Sequence, residues 1–220
     1  MELFDQLVRL LTVYSIPLVF AITLHEAAHG YVAKLCGDLT AYRLGRVSLN
    51  PLRHVDPMGT VIVPLLMLLG SAAAGGAGLL FGWAKPVPVN FHALRNPKVD
   101  MALVAAAGPA SNLAQALAWG LLFKFASPSS GAYFAAVAGA GVSVNLVLMV
   151  INLLPILPLD GGRIALSLLP NRLADSYAKL EPYGFPILLL VVFAHMQTGI
   201  LNPLMDGAGQ AFVHILGLGA

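Results

Sequence analysis

Long apolar runs leave this chain one choice of solvent. They cover about Thr12–Leu35, Met58–Trp83, Met101–Phe125, Tyr133–Leu159 and Phe185–Ile200. A helix rises about 1.5 Å per residue, so runs of this size match a hydrocarbon core of about 30 Å. A water-facing domain carries about 25% charged residues; this chain has 10%, against 58% hydrophobic. The expected fold is an all-α polytopic membrane protein, one integral-membrane domain over residues 1–220. An amphipathic stretch, Glu2 to Leu11, precedes the first run, and the residues after Ile200 read as a short amphipathic helix. The N-terminus does not read as a signal peptide, because acidic residues precede Arg9 and no small-residue cleavage site follows. A net charge of +2 leaves no nucleic-acid footprint. The single cysteine, Cys36, excludes an internal disulfide and a cysteine metal cage.

Lys and Arg favour the cytoplasmic side of a membrane. Lys34, Arg43, Arg46 and Arg53 follow the first run; Lys85, Arg95 and Lys98 follow the second; Arg163, Arg172 and Lys179 follow the fourth. All read as cytoplasmic, which a single crossing between Arg53 and Lys85 would contradict. The second run, with Pro64 and a glycine-rich second half, is therefore expected to be re-entrant. An ordinary crossing that violates the charge rule is the alternative.

Inside the first run stands ITLHEAAHGY, Ile22 to Tyr31. On a helix, His25 and His29 share one face and can reach one Zn²⁺, with Glu26 beside them aimed at water. A charge buried in a span costs about 2.5–3.5 kcal/mol on insertion scales, so an unpaired Glu26 is poor filler. A catalytic zinc site needs a third protein ligand. His54, His92, His195 and His214 fall in polar connections or near the C-terminal end and read as surface or interfacial residues. Asp160, in NLLPILPLDGG (Asn152 to Gly162), is the better candidate. Pro, Asp and Gly also make ordinary turns, but depth favours ligation. His25 lies 13 residues after Thr12, about 20 Å along a helix and about two-thirds of the way through the core. Asp160 ends its own span, and if both spans run toward the cytoplasm the three side chains meet.

These residues resemble the site-2 protease family of intramembrane zinc metalloproteases, in its compact prokaryotic branch. HEAAHG and NLLPILPLDGG carry the resemblance, with NPLRHVDPMGT (Asn50 to Thr60), FGWAKPVPVN (Phe81 to Asn90) and GPASN (Gly108 to Asn112) between them. The resemblance implies one Zn²⁺ held by His25, His29 and Asp160, with Glu26 as catalytic acid/base. It implies that Asn152 helps hold the substrate carbonyl or its oxyanion and that Asn112 braces the core. It also implies a membrane-associated β-hairpin, for which Leu39–Asn50 is the candidate. No insertion is long enough for a PDZ or CBS domain. The expected activity is an intramembrane zinc endopeptidase in the cell membrane, its site toward the cytoplasm. Its partners are the lipid bilayer and a transmembrane segment of a membrane-protein substrate. A transporter or channel using the same residues would want polar groups threaded through several spans, and an inactive scaffold would not need Glu26.

Overall fold

Membrane helices associate without a hydrophobic driving force between them, so their contacts rely on small side chains and close backbone approach. The first span shows this pattern. Ala21, His25, His29 and Ala33, spaced four apart, are all buried, while Phe20, Tyr31 and Leu35 face outward. The computed structural model describes residues 8, 10–63, 65–66, 82–125 and 131–217. After a π-helical turn at Leu10–Tyr14, helix α1 spans Ser15–Leu35. A short α2 (Thr40–Arg43) follows, then single turns at Pro51–Arg53 and Pro57–Ile62. The long helices α3 (Pro97–Phe125) and α4 (Gly131–Asn152) come next. Helices α5 (Asp160–Leu168), α6 (Asn171–Ala178), α7 (Gly184–Thr198) and α8 (Asn202–Leu216) complete the order. Four helical stretches among the described residues are long and apolar enough to cross a membrane: Leu11–Leu35, Pro97–Phe125, Gly131–Asn152 and Asn171–Thr198.

Helix α3 is the hub, packing along α1, α4 and α5, while α1 also meets α4. Its start is set locally. Pro97 occupies the first turn, where its missing N–H is harmless, and the Asp100 carboxylate accepts the Asn96 N–H at 2.8 Å. Its inner face is small or polar: Ala105, Gly108, Asn112 and Ala116 are buried. Helix α8 behaves as the amphipathic helix expected, burying Phe212 and Leu216 against Ala116.

Three expectations change. The β-hairpin at Leu39–Asn50 is not formed, and no strand occurs among the described residues. Asp38 Oδ1 accepts the Thr40 N–H at 2.8 Å, an aspartate-to-backbone bond that starts a helical turn instead. Gly45, at φ 63°, ends that segment. The fourth span stops at Asn152, and 153–159 is a loop that returns onto the start of α5. Gly161 and Gly162 are helical, not a bend; a Cβ on Gly161 would collide with the Leu153 carbonyl, and one on Gly162 would lie 2.6 Å from Leu157 N. The re-entrant expectation for 58–83 falls largely outside the described residues. Its two flanks do meet, since the Lys85 N–H donates to the His54 carbonyl at 2.9 Å.

Residues 82–90 run extended, outside any ladder. Asp38 also anchors this strap, its Oδ2 accepting the Asn90 N–H at 2.7 Å. Burial by itself would raise the Asp38 pKa, but the Thr40 hydroxyl, with the Thr40 and Asn90 N–H groups, outweighs it and holds the carboxyl below its usual value. A carboxyl depressed in the folded state stabilises above its unfolded pKa of about 3.9 and loses that contribution as pH falls through the folded value.

Thermal melts in detergent at pH 6 and at steps descending from pH 4 to pH 2 check this: Asp38→Asn should be less stable at pH 6, and its gap to the parent should narrow progressively over the acid steps. Gly161→Ala should lower the melting temperature, because backbone and not a flexible side chain meets the new Cβ. Gly207→Ala, where nothing lies within 4 Å of the new atom, should leave it unchanged or raise it, as alanine favours helix by about 1 kcal/mol.

Candidate metal centre

His25 and His29 project from α1 toward Gly108 of α3. A Cβ at 108 would overlap both imidazoles, so glycine is what lets the rings lie between the helices. Pro109, which breaks the helical hydrogen-bond ladder at that level, sits beside it. Asp160, the first residue of α5, closes the third side.

Each histidine tautomer is set by its outer nitrogen. His29 Nδ1 donates to the Val104 carbonyl at 2.7 Å. A carbonyl only accepts, so Nδ1 bears the proton and Nε2 bears a lone pair. For His25 the assignment passes through a relay. The Gly141 carbonyl accepts from Asn145 Nδ2 at 2.8 Å, and Asn145 Oδ1 accepts from Asn112 Nδ2 at 2.9 Å. Asn112 Oδ1 then accepts from His25 Nδ1 at 2.6 Å. The carbonyl at the far end orients every amide between, so His25 Nε2 also presents a lone pair. Asn112 and Asn145 are both 0% exposed, so no water competes for these bonds.

With both imidazoles neutral, as metal ligation requires, the inner nitrogens and Asp160 converge with no hydrogen between them. His25 Nε2 and His29 Nε2 are 3.1 Å apart; each is 3.3 Å from one Asp160 oxygen. Asp160 Oδ2 is buried with no hydrogen-bond partner. Three lone-pair donors so placed repel unless a cation sits among them. Tetrahedral zinc with ligand bonds of about 2.0–2.2 Å puts its donors about 3.3–3.5 Å apart, so this donor set fits zinc in type and spacing. It is the one such cluster of three found among the described residues.

Glu26, half-buried on α1, does not join the cluster; its Oε2 accepts the Val87 N–H of the strap at 2.7 Å. Asn152 donates back to the Leu148 carbonyl at 3.0 Å along its own helix, which leaves its second amide hydrogen uncommitted. The other histidines lie elsewhere: His54 is buried and donates to the Ser48 carbonyl, His195 accepts the Leu201 N–H, and His92 and His214 are exposed. The sequence reading did not anticipate Asn145, Val104, Gly108 or Val87 as site residues. Of these, Asn145 carried a readable signal, an amide inside an apolar run and seven residues before Asn152.

Membrane-length helices that enclose an HExxH pair and a carboxylate define a membrane-embedded zinc metalloprotease. The chain belongs to peptidase family M50, the site-2 protease family, whose signature matches residues 124–194, the part that holds Asp160. It is 34% identical to YwhC of Bacillus subtilis over 208 residues, 91% of this chain and 89% of that protein. It is 31% identical to Rip2 of Mycolicibacterium smegmatis over 79% of this chain and 64% of that protein. Rip3 of Mycobacterium tuberculosis is 31% identical over 63% of this chain and 34% of its own length. All three are named as putative zinc metalloproteases. No solved structure matches the chain.

Outer partners of metal-bound histidines typically contribute about 10–100-fold to metal affinity. Asn145→Leu touches no donor atom but frees the Asn112 amide to turn its NH₂ toward His25. Zinc retention against a competing chelator should fall by about that factor.

Proposed function

We propose that this chain hydrolyses peptide bonds within or near transmembrane segments of membrane-protein substrates, in the cytoplasmic membrane, with its site opening toward the cytoplasm. The observation that carries the reading is the depth of the cluster. His25 and His29 lie in the body of a helix whose length and apolarity suit a membrane span, and both are less than 10% exposed. A hydrolytic centre at that depth suits a substrate bond that also lies in lipid. The side assignment draws on the Lys and Arg clusters that flank the runs.

His25, His29 and Asp160 would hold one zinc ion, whose Lewis acidity polarises a carbonyl and makes water a stronger acid. Glu26 takes the proton of the attacking water and returns it to the leaving amine nitrogen. The second Asn152 amide hydrogen would donate to the developing oxyanion, the kind of contact that strengthens as charge builds. The substrate helix has its backbone hydrogen bonds satisfied internally, so it must unwind locally before its carbonyl is accessible.

The test is zinc content and cleavage of a single-span substrate, measured on the same purified full-length protein. Glu26→Gln should keep its zinc and lose about 10²–10⁴-fold in rate, the usual contribution of general acid–base catalysis. Asp160→Asn should lose zinc and cleavage together while inserting normally. Near-normal cleavage by Glu26→Gln would sink the mechanism.

A further inference from the structure

A hydrogen bond from a backbone N–H joins the strap at 82–90 to α1 at Glu26. Prolines at 86 and 88 leave Val87 the single N–H donor of that tripeptide, and it is spent on Glu26 Oε2. Val87 is buried, and its Cγ1 would lie 3.2 Å from a Cβ placed on Gly30, one turn beyond Glu26. The glycine after HEAAH thus lets the strap reach the helix. Beside the anchors at Asp38 and His54, Arg46 holds the strap next to this contact. Its Nη2 donates to the Lys85 carbonyl at 2.8 Å and to the Pro86 carbonyl at 3.2 Å. The Pro86–Val87 peptide is therefore gripped at both polar ends, its C=O by a guanidinium and its N–H by Glu26.

We propose that Arg46 is a positioning residue for Glu26, acting through the Pro86–Val87 peptide; this rests on Glu26 being the acid/base. A carboxylate has two oxygens. Holding Oε2 on the strap leaves Oε1 free to exchange the proton and removes the rotamer freedom of a long side chain. A misplacement of about 1 Å in a catalytic group can reduce the rate by about 10²-fold. The strap, not the helix alone, sets that position, because Glu26 has no other hydrogen bond among the described residues. Lysine at 46 keeps the charge and can donate to these carbonyls, but its ammonium sits on a flexible stem and loses more freedom per bond than the rigid guanidinium.

The experiment uses the full chain, zinc-loaded, in detergent with a single-span substrate. It compares the parent, Arg46→Ala, Arg46→Lys, Glu26→Gln and the Glu26→Gln/Arg46→Ala double variant. Arg46→Ala should lower kcat about 10–100-fold with KM and zinc content held, and Arg46→Lys should recover part of the loss. In the Glu26→Gln background the Arg46 change should add less than about twofold, the non-additivity of residues acting through one group. Full multiplication of the two effects, or a loss confined to KM or accompanied by loss of zinc, overturns the assignment. Glu26→Gln cleaving like the parent overturns the acid/base reading and this inference together, a signature distinct from failure of Arg46 alone.

Discussion

The bond from His25 Nδ1 to Asn112 Oδ1, at 2.6 Å, is the contact on which the rest of the centre depends. A histidine can present either nitrogen as donor or acceptor, and only one tautomer turns a lone pair inward. The choice is made three hydrogen bonds away, at the Gly141 carbonyl of α4, which leaves Asn145 and Asn112 one way to face. Three helices therefore share responsibility for a single proton. The Asn112 and Asn145 amides are tolerated in lipid because the oxygen and the nitrogen of each have partners. The same relay ties α1, α3 and α4 at one depth, so the packing of the bundle and the chemistry of its metal site are one arrangement.

Close approach is the second requirement, and small residues meet it. Gly108 admits the imidazoles, Gly161 and Gly162 admit the returning loop, and Gly30 admits the strap. The large apolar side chains point the other way, toward lipid, where Phe20, Leu35, Leu103 and Phe193 are exposed. A soluble core puts its bulk inside; this bundle puts glycine, alanine and asparagine there, because lipid is already as apolar as leucine and association must come from contact and hydrogen bonds.

Much of this was legible in the chain. The apolar runs indicated the spans, and helical spacing of four put His25 and His29 on one face. The other four histidines were set aside by their place in connections or near the C-terminal end, and matching depths favoured Asp160 as a ligand over a turn former. The boundaries were less legible: the fourth run reads as apolar through Leu159, yet its helix ends at Asn152, because hydropathy does not register that Pro155 and Pro158 exclude helix while the residues stay in an apolar setting. The hairpin failed for a local reason. Alternating Tyr42, Leu44, Val47 and Leu49 suggests a strand, but the Asp38–Thr40 bond starts a helical turn first. Asn145 showed only as an amide in an apolar run, and Val87 not at all, because their partners are 33 and 61 positions away. No spacing rule connects such pairs.

One further closure has a consequence for how this architecture can vary. The Arg95 N–H donates to the Cys36 carbonyl at 3.0 Å, and the Arg95 guanidinium reaches the Leu35 carbonyl that ends α1. The whole excursion between α1 and α3 is thus sealed at its neck, and again further out where Lys85 meets His54. Closing a loop depends only weakly on its length; each doubling adds about 0.6 kcal/mol. Material inserted beyond the outer seal would lengthen a closed appendage while α1 and α3 kept their separation and the histidines their setting. The scaffold is modular beyond that outer seal, while Val87 inside it keeps its contact with Glu26.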